Sequence, residues 1–482
     1  MNALTIAWIA FPFFIGFLIF LFPKIDRVLG VIATFASIEY AILLFLQPSP
    51  LNYQLLDSFG VTLILDQLTS YFILTNALVT LAVLFYCWQR GKSAFFYGQL
   101  LILHGSVNAA FACADLISLY VALEVSGIAA FLLIAYPRSD RTLWVALRYL
   151  FVSNTAMLFY LIGAVLVYRA SHSFSFAGLG NAPPEAIALI FLGLLVKGGI
   201  FLSGLWLPLT HSESETPVSA ILSGVVVKAG VYPLIRCALM VEEVEPIVRF
   251  FGVVTALLGV FFAVFEKDSK RMLAFHTISQ LGFILAAPVV GGFYALTHGL
   301  VKAALFMLAG RLPSRSFKEL QERPIDRQIW IALVIASFSI SGFPMLAGFG
   351  AKILTSKNFL PWQEVAMNIA ALGTAISFAK FIFLPFKNSE EKSEIQRGFW
   401  AAMLILLGGL IAANSVYYEA YTWGNVIKPI ATIVVGWGLY LTIFKRASVK
   451  LPRVVEEFEH LIGGMTLMSM FIFWIVLIRS NL

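Results

Sequence analysis

From Leu4 to Ile478 the chain is a succession of apolar stretches separated by short polar turns. About twenty apolar residues is the length of helix that crosses the hydrocarbon core of a bilayer. Sixteen such stretches are read, at about 4–22, 28–46, 64–88, 95–113, 115–136, 143–168, 185–208, 217–240, 247–265, 271–290, 292–310, 329–355, 364–386, 398–416, 427–444 and 461–478. With no water in the bilayer core, backbone N–H and C=O groups must be satisfied within the protein, which for segments this long means helices. The expected fold is an all-α polytopic membrane protein of 14–16 transmembrane helices. Composition agrees: 60% of the 482 residues are hydrophobic and only 12% are charged, with mean hydropathy +0.89, where soluble domains carry about 25% charged residues.

Lysine and arginine test the span count independently, because short cytoplasmic connections are enriched in both. Twenty-one fall in odd-numbered connections, against four in even-numbered ones: Arg169, Arg249, Lys357 and Lys428. An even number of spans with both termini on the non-cytoplasmic side is expected, in a bacterial plasma membrane or an internal energy-converting membrane. Residues 1–22 lack a basic leader and a small-residue cleavage site and read as a first span. The least secure boundaries are those of the last two spans, around Pro429. The longest connections, 47–63, 169–184 and 311–328, are too short for a soluble domain, and Lys387–Arg397 reads as a solvated cytoplasmic turn. The formal charge of +7 is spread over connections, so no nucleic-acid partner is expected. Cys87, Cys113 and Cys237 are far apart in apolar segments. With no redox-ligand spacing, Rossmann fingerprint or P-loop, no cofactor or metal is expected in this chain.

Charges inside the apolar stretches point to function. Arg148, Lys197, Lys228, Arg236, Lys302, Lys352 and Lys380 interrupt them, together with Glu124 and His298. An ionisable group at membrane depth is costly unless paired or hydrated, so a series of them points to an ion or proton pathway. Two stretches also look broken: LVKGGIFLSGLWLP, with Lys197 ahead of Gly198, Gly199, Gly204 and Pro208, and SISGFPMLAGFGAK, with Gly342, Pro344, Gly348 and Gly350 ahead of Lys352. Irregular backbone at this depth belongs where it lines a cavity or packs within protein. Paired interruptions in two halves of a chain indicate an inverted-repeat transporter. Lys197 and Lys228 lie 31 residues apart, Lys352 and Lys380 28 apart, each pair crossing one connection.

The stretch HSESETPVSAILSGVVVKAGVYPLIR resembles a signature of the antiporter-like proton-translocating subunits. That family includes the proton-pumping membrane subunits of NADH:quinone oxidoreductase (complex I) and the large subunits of Mrp-type cation/proton antiporters. DLISLYVALEVSGIAAFLLIAY resembles the family helix whose essential Glu falls on Glu124. LVKGGIFLSGLWLP resembles its broken helix, with the central Lys at Lys197. EKDSKRMLAFHTISQLGFI and THGLVKAALFMLAG resemble later helices and match His298 and Lys302, and AGFGAKILTS resembles the second broken helix, where Lys352 occupies a position that is Lys or Glu in the family. The matches run from about 105 to 356. Lys352, the chain length and the His/Lys pair resemble most the D-type large component of Mrp antiporters. A basic family position after Glu124 is Arg148 here, and arginine cannot release its proton in a protein. The region after the first broken helix reads His211, Glu213 and Glu215, which departs from the family pattern.

The resemblance implies residues 1–94 as N-terminal helices, 95–386 as a proton-translocating core of two inverted repeats (about 95–240 and 247–386), and 387–482 as C-terminal helices. It implies a membrane subunit of a multisubunit cation/proton antiporter exchanging protons for Na+ or K+. The alternatives are an antiporter-like subunit of an NADH:quinone oxidoreductase, whose redox chemistry would sit on partner subunits, and a membrane subunit of an inorganic-carbon uptake complex. The implied proton path runs from Lys197, switched by Glu124, through Lys228, His298 and Lys302 to Lys352. Desolvation loosens a lysine's hold on its proton and a neighbouring carboxylate tightens it. An ion pair at 4 Å is worth about 4 kcal/mol at an effective dielectric of 20, against ~2.3 kcal/mol to move a proton across 100 mV. Plainer readings stand beside these. His298 can be a hydrogen-bonded core histidine, Lys380 lies near a span end and can snorkel, and Arg148 and Arg236 can be structural or field-setting.

Overall fold

The computed structural model describes residues 2–56, 59–388, 396–447, 449 and 451–480. Lys392, in the expected cytoplasmic turn, and Lys450 lie outside the described residues. The helices are α1 (Asn2–Leu21), α2 (Asp26–Phe45), α3 (Gln67–Cys87), α4 (Ala94–Ala112), α5 (Leu116–Ile134), α6 (Asp140–Ser171), α7 (Pro184–Gly198), α8 (Leu207–Glu213), α9 (Thr216–Ile221) and α10 (Val227–Met240). They continue as α11 (Glu245–Phe265), α12 (Ser269–Ala286), α13 (Gly291–Ala309), α14 (Phe317–Glu322), α15 (Arg327–Ser341), α16 (Ala347–Ser356), α17 (Pro361–Ile382), α18 (Arg397–Asn414), α19 (Trp423–Leu439) and α20 (Phe458–Ser480). Each of the sixteen expected stretches is helical over most of its length, the two broken ones in separate pieces. Among the described residues, thirteen helices are long and apolar enough to cross a membrane. The others are α4, α12 and the broken α15–α16 pair.

Helix starts follow local chemistry. Asp66, Asp115 and Asp268 accept N–H groups from the first turns of α3, α5 and α12, and Ser139 with Thr142 forms a reciprocal cap on α6, which satisfies donors that would otherwise be orphaned. The connection at 47–63 holds an antiparallel pair, β1 (Leu51–Leu56) and β2 (Gly60–Leu65), with Leu51 opposite Leu65. Buried Leu63 and Leu65 anchor β2, and the Asp115 carboxylate accepts the Thr62 N–H at 2.8 Å.

Contacts between connections keep the expected alternation. On one face Lys92 pairs with Glu215 at 2.6 Å and Arg315 with Asp268 at 2.7 Å. There too β3 (Ile325–Asp326) runs parallel to β4 (Phe386–Lys387). On the other face the Ala114 and Leu116 N–H groups donate to Thr62 and Phe174 carbonyls, each at 2.8 Å, and Lys357 Nζ donates to Tyr417 Oη at 3.3 Å. Odd connections meet odd, and even meet even, through to the strap between α19 and α20, where Glu456 pairs with Arg271. Losing one crossing would put one partner of such a pair on the far side.

The interior is built around α12 and α13, buried along their whole lengths, and the α9–α10 segment. Complete burial explains how α12 tolerates His276, Thr277, Ser279 and Gln280. It lies closest to α11, where a Cβ at Gly252, Gly259 or Gly282 would run into the other helix's backbone, the small-residue packing used between membrane helices.

Both expected breaks are present and share one geometry. Helix α7 ends on Gly199 (φ +68°) and α15 on Gly342 (φ +84°). At the first, the Gly199 and Ile200 N–H groups return to Val196 and Leu195 carbonyls. At the second, those of Gly342 and Phe343 return to Ser339 and Phe338. This paired closure requires a left-handed residue, which is why glycine stands at each. Phe201 (φ 53°) and Met345 (φ 78°) follow in the same left-handed region. A 3₁₀ turn, Phe201–Trp206, leads into α8, and a short linker leads into α16. Where an atypical polar loop was expected after the first break, α8 buries His211 against the Phe306 ring.

Candidate functional site

Lys197 occupies the last turn of α7, immediately before the Gly199 break. It is buried, and its Nζ donates to Ser153 Oγ on α6 at 2.8 Å. The ammonium lies against Gly127 of α5, where a Cβ would sit 2.7 Å from Nζ. Glu124 precedes Gly127 by three residues, so both occupy one face of α5. Its Oε1 is buried without a hydrogen-bond partner, and among the described residues Glu124 and Lys197 form no ion pair within 4.0 Å. The two groups are thus neighbours held apart, with a neutral hydroxyl taking the lysine.

Arg148, on α6, does not turn to Glu124. Its Nη2 donates to the Trp206 carbonyl at 3.2 Å and its Nη1 to the Glu456 carbonyl at 2.5 Å. Trp206 belongs to the irregular turn after the break.

Lys228 is buried completely at the start of α10. It follows a π-type turn at Leu222–Val226, a distortion that shifts carbonyls out of regular helix bonding. Its Nζ donates to Gly224 O at 2.6 Å and Ser223 O at 3.2 Å. The Ser223 hydroxyl bonds Thr277 Oγ1 on α12 at 2.7 Å, and Thr277 donates to Leu273 O at 3.0 Å. Lys302, from α13, donates to that same Leu273 carbonyl. Lys228 on the Ser223 carbonyl and Lys302 on the Leu273 carbonyl therefore lie on either side of one hydroxyl pair, Ser223–Thr277. His298 lies one turn before Lys302, buried, with neither ring nitrogen hydrogen-bonded among the described residues.

Toward the second break, Gln280, Tyr294, Thr297, His298, Ser339 and Lys352 line a cavity with about 10 Å³ of space for a water centre, room for a single water. Lys352 projects from α16 beneath the Phe283 ring, 5.5 Å from its centroid. Its chain packs against the broken turn, with Cδ 2.8 Å from where a Cβ of Gly342 would be. Among the described residues its Nζ has no hydrogen-bond partner. Lys380 is not a snorkelling side chain: it is buried and donates to the Ala263 and Glu266 carbonyls at 3.1 and 2.8 Å, capping the negative end of α11. Arg236, read as structural, chelates Asp66 at 2.5 and 2.8 Å.

The structure thus brings Lys228, Lys302, His298 and Lys352 into one polar interior, with Glu124 and Lys197 at a second locus around the first break. Sequence reasoning missed Ser153, Gly127, His276 and Glu456. His276 is buried on α12 with both nitrogens unpartnered among the described residues, its ring 4.7 Å from that of Phe378. The polar run HTISQ was its only signal. His104, also missed, is fully hydrogen-bonded to Ser37, Thr80 and Asn108, a structural arrangement.

Comparison with known proteins fits this geometry. The chain is 27% identical over 450 residues to the D component of the Na(+)/H(+) antiporter of Alkalihalophilus pseudofirmus, covering 84% of this chain and 91% of that protein. It is 31% identical over 365 residues to the N component of the NADH-quinone oxidoreductase of Desulforudis audaxviator, covering 67% and 72%. Its fold matches a chain of the archaeal membrane-bound sulfane sulfur reductase complex (TM-score 0.75, 22% identity, 91% and 99% covered) and one of the Mrp complex from Dietzia sp. (TM-score 0.71, 20% identity, 96% and 100% covered). Residues 113–377, which hold both breaks and every buried lysine but Lys380, match the NADH:quinone oxidoreductase/Mrp antiporter transmembrane family, and the chain belongs to that family.

Proposed function

We propose that this chain translocates protons as a membrane subunit of a multisubunit Mrp-type cation/proton antiporter. The observation that carries the reading is the placing of Lys228 and Lys302, each on a backbone carbonyl, on either side of the Ser223–Thr277 hydroxyl pair. It is flanked by a lysine at each helix break. A carbonyl cannot relay a proton, so transfer between the two lysines requires an ammonium to swing from its carbonyl onto the Ser223–Thr277 hydroxyl pair, with a water-sized cavity beyond and larger ions excluded by packing. Glu124 would draw Lys197 away from Ser153 and hold its proton; release back to Ser153 would free that proton to move on. The Na(+)/H(+) antiporter relative supports the Mrp assignment, because the similarity spans nearly all of both chains.

The remaining assignments rest on the same reading. The core comprises two repeats, about 95–240 and 247–386, supported by the matched closures at Gly199 and Gly342. The face rich in lysine and arginine is cytoplasmic, so both termini are non-cytoplasmic. Other membrane subunits surround the chain. A second reading, a proton-pumping subunit of an NADH:quinone oxidoreductase, is favoured by the oxidoreductase relative.

The test is cation-driven proton movement in proteoliposomes holding the complete purified complex. Lys197→Ala should abolish the pH change that a Na+ or K+ pulse produces, and Glu124→Gln should impair it strongly. Wild-type responses in both variants would refute the reading. Flavin and iron–sulfur absorbance in the purified complex would instead favour the oxidoreductase assignment.

A further inference from the structure

The strap between α19 and α20 crosses from one half of the molecule to the other. Helix α19 packs on α17, whereas α20 packs on α7 and on the 3₁₀ turn of the first break. At the end of the strap, Glu456 is 6% exposed, among Arg148 (3%), Arg271 (6%) and Glu266 (5%). Two positive and two negative groups are thus buried together. Arg271 donates to the Glu456 carboxylate and, at 3.1 Å, to that of Glu266. Arg148 joins the Glu456 carbonyl to the Trp206 carbonyl. The Glu266 carbonyl receives Lys380 from α17 at 2.8 Å. Just beyond, the Ser203 N–H meets Met468 Sδ of α20 at 3.3 Å.

We infer that Glu456 is a positioning residue: it fixes the 3₁₀ turn Phe201–Trp206, and so the Lys197 gate, to the second half of the protein. The inference rests on the proton-translocating reading above. Arg148 alone would fasten that turn only to α6. Through Glu456 and Arg271 the turn is fastened also to α12 and, by Glu266, to Lys380. A movement of the second half is thereby transmitted to the segment following Lys197. A buried carboxylate is needed because a neutral side chain would leave Arg148 and Arg271 together with Glu266 as their sole counter-charge.

The test uses the complete complex in proteoliposomes and a cysteine pair, Ser203→Cys with Met468→Cys, on a background of Cys87→Ala, Cys113→Ala and Cys237→Ala. Glu456→Gln should lower maximal cation-driven proton flux roughly tenfold, the scale of one lost charged hydrogen bond. It should leave the cation concentration for half-maximal flux unchanged and slow cross-linking of the pair. Glu456→Asp should restore most of both. Wild-type flux in Glu456→Gln would overturn the inference, as would lost flux with unaltered cross-linking. Should that variant fail to assemble, Arg148→Lys, which keeps the charge but cannot span both carbonyls, should show the same two losses; wild-type flux there overturns the inference equally. Lys197→Ala is measured alongside. If it retains flux, the transport reading fails, whereas its loss beside a normal Glu456→Gln defeats the positioning role alone.

Discussion

Gly127 and Lys197 compete for one volume: a methyl group on the former would lie 2.7 Å from the ammonium of the latter. The far end of a lysine is flexible, so the chain can accommodate an alanine by moving Nζ off Ser153. Gly127→Ala should therefore assemble, cost about 1–3 kcal/mol in stability, and reduce proton flux at least as much as Ser153→Ala. Flux assays with thermal unfolding of the purified complex check this, and unimpaired flux would show that Lys197 need not sit against α5.

Ser223 and Thr277 hold the link between Lys228 and Lys302. Thr277→Val keeps shape and removes the hydroxyl, leaving the Ser223 hydroxyl without its partner at a cost of about 1 kcal/mol. Proton flux should fall well beyond what that small destabilisation explains. Unchanged flux would place the route elsewhere.

Lys352→Glu should keep at least about tenfold more flux than Lys352→Ala, since a carboxyl can also take up and release a proton beside the cavity lined by His298 and Ser339. Equal losses would mean that the position requires a fixed positive charge.

Asp66 caps α3 and chelates Arg236. Burial pushes its carboxyl up, but the Arg236 guanidinium and the Thr69 N–H outweigh that and hold it below the usual carboxylate range. A lowered folded-state value adds stability above the ordinary aspartate pKa of about 3.9, lost as pH falls through the folded value. Asp66→Asn should thus cost roughly 2 kcal/mol at pH 7, with the gap to wild type closing below pH ~4 in thermal melts of detergent-solubilised protein.

Single cysteines at Arg315 and at Asn52 or Asn181, on the same cysteine-free background, should label from opposite faces, position 315 from the cytoplasm. Positions 357 and 392, flanking α17, should likewise label from opposite sides. Labelling of both from one side would remove a crossing beside Lys352.

Hydropathy and the lysine–arginine asymmetry made the crossings legible, because the bilayer acts on each segment separately. The breaks were legible too: Gly199 and Gly342 announce themselves by residue type. What escaped is what only packing creates. Nothing in LSGVV foretells a π-type turn presenting carbonyls to Lys228. Glu456, among charges in a connection, reads as solvated until α20 folds it beneath Arg148. Lys380 sits near a span end, where length alone suggests snorkelling, yet α11 offers it two carbonyls inside.

The polarity of α12 carries a cost during biosynthesis. A helix bearing His276, Thr277, Ser279 and Gln280 in its middle partitions poorly into lipid by itself, since polar side chains at the centre of an inserting helix oppose insertion. Its partner α11 is apolar and fits against it through Gly252, Gly259 and Gly282. The pair must then enter the bilayer as a hairpin, α11 carrying α12. Bulky side chains at those glycines would harm the nascent chain before any proton has been moved.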